Sequence, residues 1–258
     1  SISRCPFVVS MAVLAVRRTP RDRWVKYAGN WSPAAGEAVS YRLQRWWLRR
    51  GLARAAVTVN GRWPDQPHWV HTFDNPTLTA AEIEQGREAS GSKPDTPPLR
   101  VVFAGRLEQA KGADRVIDTV LALRTRGVDV TVDLVGDGPL RHRVEAAAAE
   151  HGPDVVRFHG WLPRGSLDEV LADGHVFLLP TGSEGFPKVV AEAMAFGCVP
   201  VTSDVGSLGQ TLAATGGAVV VSAGGSWSDA VARLADDEVR VALALEGLGA
   251  VERFSFDR

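Results

Sequence analysis

The chain has 258 residues, of which 45% are apolar and 23% charged, and its formal net charge is −1. These values are typical of a globular protein and exclude a fibrous or largely disordered chain. The two cysteines, Cys5 and Cys198, have no metal-ligand neighbours at a suitable spacing. We therefore predict a reducing compartment, no disulfide framework and no metal site. No apolar run reaches the length of a membrane span.

The net charge conceals an asymmetry along the chain. Residues 1–62 contain twelve Lys and Arg against Asp22 and Glu37, and six of the eight tryptophans precede residue 70. Basic and aromatic residues together are typical of contact with an anionic membrane, a nucleic acid or a phosphorylated substrate. The apolar run 7–16 has the length of a signal-peptide core, but we interpret it as a buried parallel strand.

The first hundred residues have irregular patterns. They predict helices over 39–50 and 80–89, and strands over 55–60 and 68–73 that end at the turns Asn60-Gly61 and Asp74-Asn75-Pro76. Residues 90–98 have the composition of a linker. We therefore predict one domain over 1–95 and a second over 96–258.

From residue 99 onward, strand and helix patterns alternate regularly. This alternation predicts an α/β domain with a doubly wound parallel sheet. The predicted strands cover 99–105, 128–136, 155–160, 175–180, 199–203 and 217–222. The predicted helices cover 113–125 with Asp114 as the cap, 140–150, 166–172 with Ser166 as the cap, a helix whose first residue is Pro187, and two helices within 226–254.

Ligands of doubly wound sheets bind beyond the carboxyl ends of the strands, so the loops there are candidate sites. In the loop 105–112, Arg106 leaves a strand directly and Lys111 precedes a helix. Two such cations could hold a diphosphate, with Arg as a bidentate donor and Lys as a point charge. The alternative is a solvated loop with incidental charges, and the loop alone does not decide between them.

A second loop contains Gly136 and Gly138. These glycines either form a tight turn or let a ligand approach the backbone. The loop lacks the third glycine of the dinucleotide fingerprint, and no acidic residue follows the next strand as that fingerprint requires. This argues against a nicotinamide-dependent oxidoreductase.

The third loop, 181–187, leads into the helix that begins near Pro187. Glu184 lies on the loop, and Glu192 lies one to two turns into the helix. Backbone N–H groups at the helix start can bind an anion, and Lys188 opposes the helix dipole there unless an anion is nearby. Carboxylates for hydroxyls beside N–H groups for phosphate suit a sugar nucleotide. An exposed, functionless Glu192 is the alternative.

Taken together, the loops resemble a known family. The segments are Phe103-Ala-Gly-Arg-Leu-Glu-x-x-Lys-Gly112, Leu134-Val-Gly-Asp-Gly-Pro139, Phe158-His-Gly160 and Ser183-Glu-Gly-Phe-Pro-x-x-x-x-Glu192-Ala-Met-Ala. In order and spacing they resemble the C-terminal domain of GT-B glycosyltransferases of family 4, the group 1 transferases. The resemblance implies retaining transfer of a sugar from a nucleoside-diphosphate donor, without an obligatory metal or other cofactor.

The resemblance also implies roles for individual residues. Arg106 and Lys111 would clamp the diphosphate, Glu184 would hold a hydroxyl of the donor sugar, and Glu192 would bind the ribose hydroxyls. The remaining donor-binding residues that it implies are Gly105, Gly136, Gly138, His159, Gly160, Trp161, Leu162, Gly185, Phe186, Pro187 and Lys188.

Residues 1–95 resemble only the second half of the family's N-terminal domain. From this we expect a fragment, truncated at both ends, that is inactive in transfer by itself. A non-catalytic nucleotide-binding module is the alternative. The expected partners are the donor and a glycan or lipid-linked acceptor, with no nucleic acid.

The basic aromatic region 41–54 has two interpretations. It either docks on an anionic membrane or packs Val39, Leu43, Trp46 and Trp47 inward with its arginines in solvent, and we favour the packed helix. The expected location is the cytoplasm, either free or at the cytoplasmic face of a membrane.

Overall fold

The computed structural model describes residues 24–27, 29–32, 38–93 and 97–257. The strand predicted over 7–16 lies outside these residues. Strands β1 to β9 of the described chain are Trp24–Tyr27, Ala56–Val59, Val70–Thr72, Leu99–Ala104, Val130–Val135, Val156–Gly160, Val176–Leu179, Val199–Ser203 and Val219–Val221. Helices α1 to α9 are Val39–Arg49, Ala80–Ser90, Ala113–Thr125, Arg141–His151, Arg164–Asp173, Lys188–Ala195, Leu208–Ala213, Trp227–Ala232 and Asp237–Ala250. Short 3₁₀ helices cover Gln109–Lys111, Arg233–Ala235 and Val251–Phe254.

The strands form two parallel sheets. The first has the order β1-β2-β3, and the second has the order β6-β5-β4-β7-β8-β9. All neighbouring strands are parallel. The predicted α/β class with a doubly wound parallel sheet is therefore confirmed, and a second parallel sheet precedes it.

The central strands of the second sheet are buried on both faces. In β4 the consecutive residues Val101, Val102 and Phe103 are all 0% exposed, and so are Phe177 and Leu178 in β7. Helices cover both faces of such a sheet, which is why these strands are continuously apolar rather than alternating. This buried centre holds the loops at the strand ends in fixed positions.

The first sheet has its own smaller core. Val57 and Val59 of β2 pack with Tyr27, Trp31 and Leu48. Tyr27 and Trp31 meet edge to face with 5.6 Å between ring centroids. This cluster is separate from the large core of the second sheet.

Helix α1 packs differently from the favoured interpretation. It buries Arg45 and Leu48, so arginines do not simply face solvent. The inward packing predicted for three side chains is wrong, since they are 64%, 49% and 51% exposed: Val39, Leu43 and Trp46. The fourth, Trp47, is partly buried against the core of the first sheet, as predicted. Leu48 and Arg45 lie on the face toward the first sheet, and the other face of the helix stays apolar and exposed.

Several helix caps and starts differ from those predicted. Helix α3 begins at Ala113 as predicted, but it is preceded by Gly112 at φ +76° with no side-chain cap, so Asp114 lies in its first turn instead. Helix α5 begins at Arg164, which places Ser166 inside the helix. Pro187 occupies the capping position before α6 rather than its first residue. Contacts with neighbouring loops, described below, determine the start of α3.

The segment between the two sheets joins the end of the described chain. The N–H groups of Thr77 and Leu78 both donate to the carbonyl of Phe254, at 2.8 and 3.1 Å, and the N–H of Phe256 donates to the carbonyl of Leu78 at 2.8 Å. Leu78 is fully buried. Among the described residues, no helix combines the length and apolarity needed to cross a bilayer.

Candidate functional site

The second sheet changes direction between β4 and β7. The chain runs outward from β4 through β5 to β6, and then returns to place β7 on the other side of β4. In sheets of this kind, a crevice opens at the carboxyl ends of the two strands where the order reverses. The loops after β4 and β7 carry Arg106, Lys111 and Glu184, so the topology places these predicted residues at that crevice.

A cavity of about 480 Å³ lies beside this switch point. Its wall includes five residues predicted to bind the donor: Gly105, Arg106, Gly136, Trp161 and Leu162. Ala104, Val135, Asp137, Leu167 and Val189 complete the lining. The structure therefore brings together residues from the loops after β4, β5 and β6, which are separate in the sequence.

Arg106 is available to a ligand. Its side chain is 66% exposed, and its Nε lies 3.0 Å from a carboxylate oxygen of Glu108. An exposed pair of this kind contributes between about 0 and 1 kcal/mol to stability. The guanidinium can therefore leave Glu108 for a more strongly charged partner at little cost.

Gly136 and Gly138 are required by the close approach of two loops. They have φ values of +135° and +156°, where residues with a side chain are strained. A Cβ on Gly136 would collide with the carbonyl of Gly105, and one on Gly138 would lie 2.6 Å from the carbonyl oxygen of Leu107. The glycines thus let the loop after β5 lie against the loop after β4, and Gly136 also lines the cavity.

Lys111 and Glu184 form an ion pair. Their loops are also joined through the backbone: the Gly182 N–H and the Thr181 hydroxyl both donate to the carbonyl of Ala110, at 2.8 and 3.1 Å. The cation predicted for the diphosphate thus lies against the carboxylate predicted for the donor sugar. An anionic ligand could replace Glu184 as the partner of Lys111, and the carboxylate would then be available to a hydroxyl.

The loop before α6 is anchored on both sides. The Ser207 hydroxyl donates to the carbonyl of Gly185 at 2.9 Å. The Phe186 ring stacks on Phe254 with 4.7 Å between centroids. Pro187 then precedes α6, whose first residue, the exposed Lys188, lies at the positive end of the helix.

Glu192 is buried, not exposed as in the alternative considered from the sequence. The residue is 8% exposed, and its Oε1 accepts a hydrogen bond of 2.7 Å from Nη1 of Arg164. Burial raises the pKa of Glu192 above the ordinary glutamate value, and Arg164 opposes that rise. The carboxylate therefore depends on this arginine for its charge.

Arg164 is a site residue that the sequence analysis does not identify. It is the first residue of α5, and it also contacts Asp168 at 2.9 Å and Glu82 at 3.3 Å. One signal was present in the sequence: a cation at a helix start is unfavourable unless anions are nearby. Lys188 is such a cation at the start of α6. Arg164 is recognised as one only when α5 is known to begin at residue 164.

The end of β6 and the loop after it carry one side chain with a partner and one exposed side chain. His159 Nε2 lies 2.6 Å from the carboxylate of Asp133, whereas Trp161 is 73% exposed beside the cavity. Gly160 between them has φ +68°. Within the described residues, no group of three or more His, Cys, Asp or Glu is placed to hold a metal ion.

Two solved structures show what this fold is similar to. Anabaena HepE, solved with UDP and glucose, gives a TM-score of 0.69 at 19% identity, covering 96% of this chain and 71% of that chain. Sucrose-phosphate synthase from Thermosynechococcus elongatus gives 0.72 at 20% identity, covering 97% and 68%. Identities this low show the fold alone, and that fold is the GT-B fold of glycosyltransferases.

The sequence comparison defines the family. Residues 85–244, more than half of the chain, match the family model of glycosyl transferases group 1. The chain therefore belongs to the glycosyl transferases group 1 family, as its loop motifs predicted.

Curated relatives match over part of their length. The chain is 33% identical over 140 residues to the 2-deoxystreptamine glucosyltransferase of Streptomyces kanamyceticus, covering 54% of this chain and 36% of that protein. It is 36% identical over 120 residues to the GDP-mannose-dependent alpha-(1-6)-phosphatidylinositol dimannoside mannosyltransferase of Mycobacterium tuberculosis, covering 46% and 31%. The matches thus span about a third of the length of these relatives.

Proposed function

We propose that this chain is the donor-binding part of a retaining glycosyltransferase that uses a nucleoside-diphosphate sugar. The observation that carries the proposal is the switch point of the second sheet. There the 480 Å³ cavity lined by Arg106 adjoins the loops that hold the Lys111–Glu184 pair. Phosphate-binding cations and hydroxyl-binding carboxylates at one crevice match the chemistry of a sugar nucleotide.

In this proposal each charged residue has a separate task. Arg106 and Lys111 bind the diphosphate and stabilise the negative charge that develops on the leaving group as the glycosidic bond breaks. Glu184 accepts a hydrogen bond from a hydroxyl of the donor sugar, and Glu192 accepts from the ribose. Because Arg106 and Lys111 supply the positive charge, no metal ion is required for this step.

The proposal includes an acceptor and a division of labour within the chain. The acceptor is a glycan or a lipid-linked sugar, and residues 96–258 bind the donor while residues 1–95 belong to the acceptor side. The exposed apolar face of α1, with Arg42 and Arg50 in solvent, supports peripheral contact of region 41–54 with an anionic membrane. One of the two relatives, the phosphatidylinositol dimannoside mannosyltransferase, is named for a lipid-linked glycan, which is consistent with this class of acceptor.

Two other functions have less support. A nicotinamide-dependent oxidoreductase would need a third glycine in the loop after β5, where Gly136 and Gly138 already serve to pack two loops together. A non-catalytic nucleotide-binding module would use the same residues as the proposed enzyme. Ligand preference tests the first alternative, and sugar transfer tests the second.

The binding test uses the 258-residue chain and follows its thermal unfolding with UDP, GDP, ADP and NAD. We expect one nucleoside diphosphate to raise the melting temperature, and Arg106→Ala to weaken its binding about 10- to 100-fold, the value of a lost charge-assisted hydrogen bond. Glu192→Ala should weaken binding of the same nucleotide. The melting temperature of the ligand-free Arg106→Ala chain should stay close to wild type, because that side chain is mostly exposed.

Arg126→Ala is the matched control, since Arg126 forms a surface ion pair with Asp229 at 2.6 Å. It should leave nucleotide binding unchanged. Preference for NAD, or binding that is indifferent to both Arg106→Ala and Glu192→Ala, would contradict the proposed function. Incubating the chain with the radiolabelled donor of the preferred base and candidate acceptors then tests transfer. Sugar transfer by the chain would contradict the non-catalytic alternative.

A further inference from the structure

Three helices meet at the guanidinium of Arg164. The arginine lies at the start of α5 and reaches Glu192 on α6 at 2.7 Å, Asp168 on its own helix at 2.9 Å, and Glu82 on α2 at 3.3 Å. The side chain is 36% exposed, whereas the carboxylates of Glu192 and Asp168 are 11% exposed each. One cation thus contacts three carboxylates, two of which belong to side chains that are largely shielded from water.

The cluster leaves a surplus of negative charge around Glu192. Asp168 and Glu82 both raise the pKa of Glu192, in addition to its burial, and Arg164 and Lys188 lower it. These are the charged groups that face Glu192 from α5, α2 and its own helix. Lys188 is exposed to solvent, so its charge is screened more strongly than that of Arg164.

We propose that Arg164 is a positioning residue for ribose recognition, whose guanidinium holds the Glu192 carboxylate in place as the acceptor for the ribose hydroxyls. This inference rests on the proposed function. The contact of Arg164 with Oε1 fixes the orientation of the carboxylate, so that it does not have to be ordered when the nucleotide binds. Pre-ordering of this kind increases affinity without adding a contact to the ligand.

Arg164 also maintains the charge of the acceptor. A hydroxyl donates a stronger hydrogen bond to a carboxylate than to a neutral carboxyl group. Without Arg164, Glu192 would face Asp168 and Glu82 with only a screened lysine nearby, and like charges favour the protonated form of an acid. Ribose recognition would then weaken as the pH falls through the raised pKa of Glu192.

The test separates the ribose from the rest of the nucleotide. Whichever of UDP, GDP and ADP binds wild type best is titrated beside its 2′,3′-dideoxy form, in wild type, Arg164→Gln, Arg164→Lys and Glu192→Gln. We expect wild type to prefer the ribose form by about 10-fold, as for one to two neutral or charge-assisted hydrogen bonds. Arg164→Gln should reduce this preference to below about 3-fold while the dideoxy form binds as before, and the preference should partly return at higher pH.

Arg164→Lys keeps the charge but lacks the planar fork that reaches three carboxylates, so its preference should be intermediate. The control is Arg143→Gln, which breaks a surface pair with Asp118 and should keep the wild-type preference at every pH. Equal weakening of both nucleotide forms in Arg164→Gln would overturn the proposal, because it would indicate a general structural role. An unchanged preference would overturn it as well.

A second measurement needs no nucleotide. The carboxyl ¹³C resonance of Glu192, assigned by its loss in Glu192→Gln, is titrated in the ligand-free chain. We expect its midpoint to move to higher pH in Arg164→Gln and to stay unchanged in Arg143→Gln. If the midpoint moves but the wild-type chain binds no nucleotide, the proposed function fails, and ribose positioning by Arg164 fails with it. If nucleotides bind with a ribose preference that depends on Glu192 but not on Arg164, the proposed function stands and only this inference fails.

Discussion

Glu192 is a carboxylate that the folded chain keeps ionisable although it is nearly buried. Desolvation disfavours its charged form, and the pKa of Glu192 is raised as a result. Asp168, beside it, has a pKa raised by the same cause, with Arg164 opposing the rise. A site that needs charged acceptors therefore gives up stability at neutral pH.

The sign of the effect on stability follows from the raised pKa. A group whose pKa is higher in the folded than in the unfolded chain stabilises the fold below its unfolded pKa, and that stabilisation is lost as the pH rises through the folded pKa. We therefore expect Glu192→Gln to melt at a higher temperature than wild type at pH 7.5. The difference should shrink as the pH falls into the ordinary glutamate range.

Calorimetry of both chains between pH 4 and pH 8 checks this. Arg164 keeps Asp168 and Glu82 as partners in the variant, so no unpaired cation is created. Glu145→Gln, at an exposed pair with Arg141, is the control and should show no such pH dependence. The expectation is contradicted if the melting temperature of Glu192→Gln minus that of wild type is lower at pH 7.5 than at pH 5.

The sequence predicts the positions of the charged residues in the fold better than it predicts the contacts between them. Arg106, Lys111 and Glu184 lie on loops that follow strands, so the strand pattern alone placed them at one edge of a sheet. The contact of Glu192 with Arg164 spans 28 residues, and the Lys111–Glu184 contact spans 73. Such pairings depend on how the helices are packed, which no local pattern records.

Helices α2 and α6 approach each other closely through a glycine. A Cβ added to Gly86 of α2 would collide with the carbonyl of Ala195 at the end of α6 and lie 3.2 Å from the Phe196 nitrogen. This contact keeps α2, which carries Glu82, against the helix that carries Glu192. The packing of these two helices therefore contributes to the geometry of the carboxylate cluster.

Two glycines in helices make a matched pair of substitutions. Gly249, inside α9, has no atom within 4 Å of an added Cβ, so Gly249→Ala should stabilise the chain by about 0.5–1 kcal/mol through helix propensity. Gly86→Ala gains the same propensity but must separate two helices, and should destabilise by about 1–3 kcal/mol. Urea denaturation measures both, and a stabilising Gly86→Ala would show that α2 is free to shift.

Elements were predictable where the pattern is local and strong. Most strands of the second sheet are largely apolar runs, and each strand of this sheet was predicted to within a few residues. Strand β1 and helix α7, of four and six residues, were not predicted. The start of α3 at Ala113 was predicted correctly, but its cap was not: the position before it is Gly112, which the neighbouring loop holds against the Pro180 carbonyl. Asp114 does not reveal that contact.

At the scale of the whole molecule, the largest difference between the expected and the observed packing is the exposed face of α1 and the residues that follow it. Tyr41, Trp46 and Leu52 are 50%, 51% and 50% exposed. The guanidinium of Arg50 lies 5.5 Å from the centre of the Trp46 ring, and Arg42 is exposed beside them. Aromatic and basic side chains together on one surface helix are typical of a peripheral membrane contact.

Vesicle binding tests that contact. We expect the chain to sediment with vesicles containing about a third phosphatidylserine and not with neutral phosphatidylcholine vesicles, and binding should weaken as salt is added. Replacing Arg42 and Arg50 by Gln should weaken it by roughly 2 kcal/mol, at about 1 kcal/mol for each charge. The control is the double variant Arg126→Gln with Arg143→Gln, which removes the same charge at other surface positions. Equal loss of vesicle binding in both double variants would indicate that only the net charge of the chain attracts it to the membrane.

The hydrogen bonds between Phe254 and residues 77–78 have a consequence for the order of folding. They join parts of the chain that are separated by about 177 residues, and the segment they hold lies between the two sheets. Contacts so distant in sequence form late, because the intervening chain must be organised first. We therefore expect these hydrogen bonds to form after the strands of each sheet, so that folding should show a slow final phase.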